Sequence, residues 1–175
     1  MLVDFMATVL MIVAQNGFRD EELLIPKEIL ERAGHRVMIA SLTRGKANGS
    51  KGAVVQPDMA AFEADAKFFS AIVIVGGPGS PALAESADVT SLVRTANENG
   101  KVIAAICLGP MTLAKAGILS GRSVTVFPDR NAIKLLRDSA ARYIAKPVVV
   151  DGKIVTADSP GSAGPFGDEI VKLLK

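Results

Sequence analysis

Short apolar runs alternate with longer amphipathic segments along most of the chain. Residues 7–14 (ATVLMIVA) and 35–41 (HRVMIAS) have the length and β-branched content of buried strands. Between them, residues 21–34 (EELLIPKEILERAG) carry apolar positions at helical spacing, so the three segments indicate a βαβ unit. The alternation continues with predicted strands at 71–77, 101–107 and 122–127 and predicted helices at 86–100 and 108–119. The pattern favours an α/β fold with a mostly parallel sheet.

Two segments interrupt this alternation. Residues 43–56 (TRGKANGSKGAVVQ) are rich in glycine and lysine, and we expect a hairpin or an exposed loop there, followed by a helix over residues 59–69. Residues 146–158 contain two β-branched runs around an Asp-Gly pair, which predicts a β-hairpin. A last helix is predicted over residues 161–175.

Length and composition limit what the chain can be. With 175 residues, 49% hydrophobic and 22% charged, it can bury one sizeable core, and we expect a single domain over residues 1–175. The 20 basic and 18 acidic residues are scattered without a basic run, which argues against a nucleic-acid partner. The apolar stretch at the start is interrupted by Asp4 and lacks a basic leader, so we expect neither a signal peptide nor a membrane span.

The only cysteine, Cys107, stands where a predicted strand ends and a helix begins. The small residues Ala105 and Gly109 lie two positions to either side, which permits the sharp turn of a nucleophile elbow. The N–H groups at the start of the following helix would stabilise a thiolate. A buried cysteine with only a packing role is the alternative. A lone cysteine also indicates a reducing compartment, and we expect a cytoplasmic protein.

A glycine-rich turn, VGGPGSP, follows the strand at 71–77 and reaches the same sheet edge as Cys107. Gly76 and Gly77 would lie beside the elbow, and the backbone N–H groups of Gly77 and Leu108 could form an oxyanion hole. The same glycines could equally do no more than make a tight turn. Their spacing is not that of a dinucleotide-binding loop.

Acidic residues and one histidine complete the set of candidates. Asp20, Glu21 and Glu22 begin the first predicted helix on the same side of the sheet, where acidic residues often only complement the helix dipole. The single histidine, His35, precedes the second predicted strand at the opposite edge. We therefore expect neither a histidine base nor a metal site.

Taken in order, the motifs NGFRDEELLIP, VGGPGSPAL, AAICLGPMTLAKAGIL and SPGSAGPFGDEIV resemble the ThiJ/PfpI superfamily over nearly the whole chain. The resemblance implies a flavodoxin-like, three-layer α/β sandwich with a mostly parallel central sheet and a nucleophile elbow. Its members include intracellular proteases, glyoxalases, deglycases, chaperones and redox sensors. It further implies that Cys107 is the nucleophile, that Glu22 is the carboxylate beside it, and that the oxyanion or substrate-binding positions are Gly76, Gly77 and Leu108.

The chain departs from this pattern at two positions. Protease-like members have a histidine directly after the cysteine, where this chain has Leu108, and another branch has one after the next strand, where this chain has Phe127. A Cys-His triad therefore cannot be assembled within one chain, which argues against peptidase activity.

We accordingly expect a cysteine-dependent enzyme that uses no metal or cofactor and acts on reactive aldehydes or on their protein adducts, with Glu22 moving the proton. An intracellular cysteine peptidase or other hydrolase is one alternative. A non-catalytic redox sensor or chaperone, whose exposed, low-pKa thiol becomes oxidised, is the other. The mean hydropathy is +0.34, and members of the superfamily commonly assemble as dimers or higher oligomers. We therefore also expect a homo-oligomer, a dimer or larger.

Overall fold

The computed structural model describes residues 6–175, and most of its strands belong to one central sheet. The strands are β1 Thr8–Ile12, β2 Asn16–Phe18, β3 Arg36–Ser41, β4 Ala47–Gly49, β5 Val54–Val55, β6 Met59–Ala60, β7 Ala71–Ile74, β8 Val102–Ile106, β9 Ser123–Val124, β10 Arg142–Tyr143, β11 Val148–Asp151 and β12 Ile154–Ala157. The helices are α1 Asp20–Arg32, α2 Pro81–Ala84, α3 Ala87–Glu98, α4 Pro110–Lys115, α5 Arg130–Asp138 and α6 Ala163–Leu173, with 3-10 turns at Ala61–Glu63, Ala66–Phe68 and Pro160–Ser162.

The central sheet has seven strands in the order β11-β12-β8-β7-β1-β3-β6. Neighbouring strands run parallel except for β11, which pairs antiparallel with β12 at one edge. The chain passes from β1 to β3 on one side and later crosses to β7 on the other. The carboxyl ends of β1 and β7 therefore border a crevice at a topological switch point, which is where α/β sheets bind their ligands.

Both faces of the sheet are buried, because successive side chains of its strands point in opposite directions. In β1, Leu10 and Ile12 pack in the cluster that receives the buried residues of α2 to α5. Val9 and Met11 pack in the second cluster, together with α1 and α6. The expected three-layer sandwich with a mostly parallel sheet is confirmed.

The prediction of a helix over residues 59–69 is wrong. The chain forms the short edge strand β6 and then two 3-10 turns there. The Glu63 carboxylate accepts the Ala60 N–H at 3.0 Å, and the Asp65 carboxylate accepts the Lys67 N–H at 3.1 Å. Such local bonds from acidic side chains compete with helical hydrogen bonds.

The other differences lie after β8. The strand predicted at 122–127 is reduced to β9, which pairs with β10 outside the central sheet. Helix α5 was not predicted from the sequence. The hairpin predicted over residues 146–158 is present as β11 and β12, and the glycine-rich segment at 43–56 forms a second antiparallel hairpin, β4 and β5.

The apolar stretch at the start of the chain is described from residue 6 onwards, so Asp4 lies outside the described residues. No helix within residues 6–175 is both long enough and apolar enough to cross a membrane.

Helices α1 and α6 pack closely because Gly167 of α6 has no side chain. A Cβ atom at Gly167 would lie 3.2 Å from Pro26 Cα and 3.1 Å from Ile29 Cδ1, both in α1. A Cβ atom at Gly164, one turn earlier in the same helix, would meet nothing within 4 Å. Substitutions at these two glycines therefore provide a matched comparison of a crowded and an open position in one helix.

We expect Gly167→Ala to lower the free energy of unfolding by about 1–2 kcal/mol, because the added methyl group forces the helices apart. Gly164→Ala should raise it, by up to about 1 kcal/mol, because alanine has the higher helix propensity. Urea unfolding of both variants measures the difference. Equal stabilisation by the two substitutions would show that the helices do not depend on this contact.

Candidate active site

Cys107 follows β8 directly and adopts a left-handed backbone conformation, with φ at +62°. This conformation is uncommon for a residue other than glycine. Two backbone hydrogen bonds hold it, because its N–H donates to the Ala157 carbonyl at 2.9 Å and its own carbonyl accepts the Phe127 N–H at 2.8 Å. Two residues later, a Cβ atom at Gly109 would lie 2.7 Å from the Ile74 carbonyl oxygen, so the turn requires glycine. The strand-to-helix elbow expected from the sequence is present.

Gly76 lies directly between the elbow and the first helix. A Cβ atom at this position would lie 2.6 Å from Glu22 Oε1 and 2.7 Å from Cys107 Cβ. Both distances are shorter than real contacts of a Cβ atom. The missing side chain therefore lets the carboxyl and the cysteine approach each other.

The turn after β7 also fixes the start of α1. The Arg19 N–H donates to the Gly76 carbonyl at 3.0 Å, and the Gly79 N–H donates to the Gly17 carbonyl at 2.9 Å. Gly77 has φ at +111°, and a Cβ atom there would lie 2.6 Å from the Gly17 carbonyl oxygen. The glycine-rich turn is thus packed against the backbone that leads into α1. This packing fixes the position of Glu22 in the first turn of the helix.

The three acidic residues at the start of α1 have different surroundings. Asp20 accepts the backbone N–H groups of Lys51 and Ala53, at 3.1 and 2.9 Å, and so holds the hairpin of β4 and β5. Glu21 is partly exposed and accepts a hydrogen bond from Arg19 Nε at 2.6 Å. Glu22 is fully buried and points towards the elbow. Among the three, the structure brings only Glu22 to Cys107.

The Glu22 carboxyl is buried, and no strong hydrogen bond compensates for its loss of solvent. Its side chain is 0% exposed, and neither oxygen accepts a well-formed hydrogen bond from any residue that the structure describes. Burial raises the pKa of Glu22 to about 7, although the Cys107 thiol, the Arg19 guanidinium and the Gly76 N–H act in the opposite direction. Near neutral pH this carboxyl can therefore both accept and release a proton.

The Cys107 side chain is 7% exposed. Burial, together with the negative charge of Glu22, raises the pKa of Cys107 to about 12. The N–H groups of Gly77 and Leu108 face the sulfur and lower this pKa by less. The N–H groups that the sequence predicted to stabilise a thiolate do lower this pKa, although desolvation raises it by more.

Cys107 and Glu22 titrate as a coupled pair, because a negative charge on either group opposes ionisation of the other. A thiol that transfers its proton to an ionised Glu22 leaves one negative charge in the pair and creates no second one. The arrangement therefore favours proton transfer within the pair over loss of a second proton to solvent.

The pair opens into a pocket of about 210 Å³. Its lining is mostly apolar, and it comprises Arg19, Glu22, Gly77, Pro78, Cys107, Leu108, Phe127 and Pro160. Two larger hollows, of about 450 and 390 Å³, lie beside the 3-10 turns at residues 61–68, and neither is lined by a cysteine or a histidine. The smaller pocket is therefore the candidate active site.

The structure brings together all five residues that the sequence singled out, namely Cys107, Glu22, Gly76, Gly77 and Leu108. His35 lies at the opposite sheet edge, where its Nδ1 accepts the Ala7 N–H at 3.3 Å. Within residues 6–175, no three His, Cys, Asp or Glu side chains are grouped so that they could hold a metal ion.

Sequence reasoning missed Arg19, Pro78 and Pro160 as lining residues. Arg19 immediately precedes the candidate acidic residues Asp20 to Glu22. A cationic side chain so close to a candidate carboxyl could have indicated that Arg19 belongs to the site. Pro78 directly follows Gly77 in the glycine-rich turn, so its position beside a candidate residue was the signal. Pro160 gave no such signal, because only the packing of a distant segment brings it to the pocket.

Comparison with known proteins agrees with this geometry. The profile of the DJ-1/PfpI family matches residues 7–173. The chain belongs to the DJ-1/PfpI family. A solved ThiJ/PfpI domain protein from Brachyspira murdochii superposes with a TM-score of 0.92 at 32% identity, over 97% of this chain and 96% of that one.

Relatives within the DJ-1/PfpI family extend over nearly the whole chain. An uncharacterized protein of Methanocaldococcus jannaschii is 40% identical over 170 residues, which cover 97% of this chain and 83% of the relative. A protein of Thermococcus kodakarensis named a deglycase is 35% identical over 169 residues, covering 94% and 98% of the two chains. A protein of Caenorhabditis elegans named a glutathione-independent glyoxalase is 29% identical over 166 residues, covering 95% and 88%.

The buried Glu22 carboxyl predicts a pH-dependent stability. Its folded-state pKa of about 7 lies above the ordinary value of 4.5, so its ionisation opposes folding as the pH rises through this window. Relative to Glu22→Gln, the wild-type protein should lose about 3 kcal/mol of unfolding free energy between pH 4.5 and pH 7. Urea titrations across this range measure the difference.

Glu98→Gln is the control, because Glu98 lies on the exposed end of α3 and should leave the pH dependence unchanged. A constant stability difference between the wild-type protein and Glu22→Gln from pH 4.5 to pH 7 would contradict the raised pKa.

Proposed function

We propose that this protein is a cysteine-dependent enzyme that acts on small reactive aldehydes, or on their adducts with amines and thiols, without a metal or cofactor. The observation that carries the proposal is the placement of the Cys107 thiol against a fully buried carboxyl whose pKa is about 7. A nucleophile with an adjacent proton acceptor of matched pKa is the basic requirement for covalent catalysis on a carbonyl.

In the first step the Cys107 sulfur attacks the aldehyde carbon while its proton passes to the Glu22 carboxylate. A C–S bond forms, and the π electrons of the carbonyl move to its oxygen. The N–H groups of Gly77 and Leu108, which face the sulfur, are available to this oxyanion. Return of the proton from Glu22 to the oxygen gives a hemithioacetal.

The second step for a 2-oxoaldehyde is an internal redistribution of hydrogen. Glu22 removes the proton from the carbon bonded to sulfur and returns it to the neighbouring carbon, through an enediol, which leaves a thioester on Cys107. Water hydrolyses the thioester and releases a 2-hydroxy acid and the thiol. The sum of the steps is the addition of water, so no external oxidant or reductant is required.

The dimensions of the pocket favour a substrate of a few carbons. Its volume of about 210 Å³ is below the range of roughly 300–1,000 Å³ that holds drug-sized ligands. Its lining includes no histidine, and Leu108 and Phe127 occupy the positions at which a peptidase triad would be completed. These features disfavour the peptidase alternative.

The sensor alternative assumed an exposed thiol of low pKa. Cys107 is instead buried and its pKa is raised, and both properties slow oxidation because the thiolate is the reactive form. The names of the relatives also support aldehyde chemistry, since they include several deglycases and a glyoxalase.

We further propose that the protein is a single domain that works in the cytoplasm as a homo-oligomer. Leu24 and Ile25 on α1 are 47% and 39% exposed, and a second copy of the chain would cover such apolar side chains.

We predict that the wild-type protein converts methylglyoxal to lactate without added thiol or metal. Cys107→Ala should abolish turnover, because no other residue of the pocket can form the covalent intermediate. Glu22→Gln should lower kcat by about 10²- to 10⁴-fold, the usual contribution of a positioned acid–base group. Lactate formation and methylglyoxal loss are measured together, so that trapping of the aldehyde is not counted as turnover.

Glu28→Gln is the matched control, because Glu28 lies on the same helix, is exposed and does not line the pocket. Full turnover by Cys107→Ala, or by Glu22→Gln, would remove that residue from the mechanism. Hydrolysis of a fluorogenic peptide by the wild-type protein but not by Cys107→Ala would favour the peptidase alternative.

The rate should also depend on pH in a defined direction. Glu22 accepts the thiol proton only when ionised, so kcat/KM for methylglyoxal should rise tenfold per pH unit below about pH 7 and level off above it. The residual activity of Glu22→Gln should lack this rising limb. A profile that instead falls as the pH rises from 5 to 7 would mean that Glu22 acts in its protonated form in the limiting step.

A further inference from the structure

Among residues 6–175, Arg19 is the one cationic side chain that lines the pocket. It immediately precedes α1, and its side chain is 33% exposed. Its Nε donates to Glu21 Oε2 at 2.6 Å, which fixes one side of the guanidinium. For the two terminal nitrogens, the structure records no hydrogen bond to any residue from 6 to 175.

The chemistry assigned to Cys107 and Glu22 does not require this cation. A neutral aldehyde would leave the terminal nitrogens of Arg19 without a partner, at the edge of a pocket whose other walls include Pro78, Leu108 and Phe127. Partial loss of water from donors that gain no new partner weakens binding. Glu21 neutralises part of the positive charge of Arg19, but it does not line the pocket and it accepts a hydrogen bond only from Arg19 Nε.

Arg19 shares its pocket with the proposed reacting pair. Glu22 and Cys107 face each other in this pocket, and Arg19 provides a donor pair at another point of the lining. A guanidinium held by its Nε presents two parallel N–H groups, which match the oxygens of a carboxylate or phosphate.

We propose that Arg19 forms an anion subsite, so that the preferred substrates are small 2-oxoaldehydes that carry a carboxylate or phosphate group. The inference rests on the proposed function, because it assumes that the carbonyl reacts at Cys107. The anionic group pairs with the terminal nitrogens of Arg19 while the aldehyde carbon reaches the sulfur. Arg19 thereby determines specificity and takes no part in proton transfer.

The test compares 4,5-dioxopentanoate, a 2-oxoaldehyde with a carboxylate, with its neutral methyl ester. The wild-type protein should prefer the acid by about 10-fold in kcat/KM, as expected for a charge-assisted bond at a partly exposed site. Arg19→Gln should abolish this preference, so that kcat/KM for the acid equals that for the ester. Because Arg19 also lowers the pKa of Glu22, kcat/KM for the two substrates should otherwise change to the same extent. Hydroxypyruvaldehyde phosphate, tested in parallel, shows whether a phosphate is accepted in place of the carboxylate.

Arg32→Gln is the matched control, since Arg32 is exposed at the other end of α1 and pairs with Glu28. It should keep the preference for the acid. Equal kcat/KM for acid and ester in the wild-type protein, or an unchanged preference in Arg19→Gln, would overturn the anion subsite.

A binding measurement separates this inference from the proposed function. The unreactive keto acid 4-oxopentanoate should bind to Cys107→Ala in calorimetry, and the double variant Cys107→Ala/Arg19→Gln should bind it about 10-fold more weakly. Equal binding by the two proteins would refute the subsite whatever the activity. If no aldehyde is turned over but Arg19 still governs binding, the proposed function fails and the anion subsite stands.

Discussion

The site depends on the absence of a side chain at Gly76. That glycine occupies the only space between the carboxyl at the start of α1 and the elbow after β8, and a single methyl group would overlap both Glu22 and Cys107. The carboxyl at the start of α1 and the thiol after β8 lie far apart in sequence, and the parallel sheet brings both segments to one crevice. Close approach of the two segments then creates a pair that neither could form alone.

That approach determines the protonation of the pair. For Glu22, desolvation outweighs the interactions with the Cys107 thiol, Arg19 and the Gly76 N–H, so the carboxyl holds its proton up to about neutral pH. The same desolvation raises the pKa of Cys107. In the proposed mechanism, reactivity arises from transfer of a proton inside the pair when a carbonyl binds, and an exposed thiolate is not needed.

Much of the fold follows from short-range patterns. The strands of the central sheet are continuous apolar runs because both of their faces are covered, and the small residues around Cys107 marked the elbow. Residues 59–69 were misjudged because Glu63 and Asp65 bind nearby backbone N–H groups, a choice that apolar periodicity does not reveal.

The set of residues at the site was recognisable from motifs, but its electrostatics were not. The pKa values of Glu22 and Cys107 depend on how deeply the folded chain buries these side chains. The position of Arg19 depends on the turn after β7. These are properties of packing between segments distant in sequence. The single-domain, compartment and oligomer assignments remain predictions.

The most direct test of the account is the protonation state of Glu22 itself. Infrared difference spectra between the wild-type protein and Glu22→Gln isolate the C=O stretching band of this one protonated carboxyl. The account predicts that the band is present at pH 5 and disappears with a midpoint near pH 7. A carboxyl that is already fully ionised at pH 5 would contradict the account, because Glu22 would then not be the desolvated partner of Cys107.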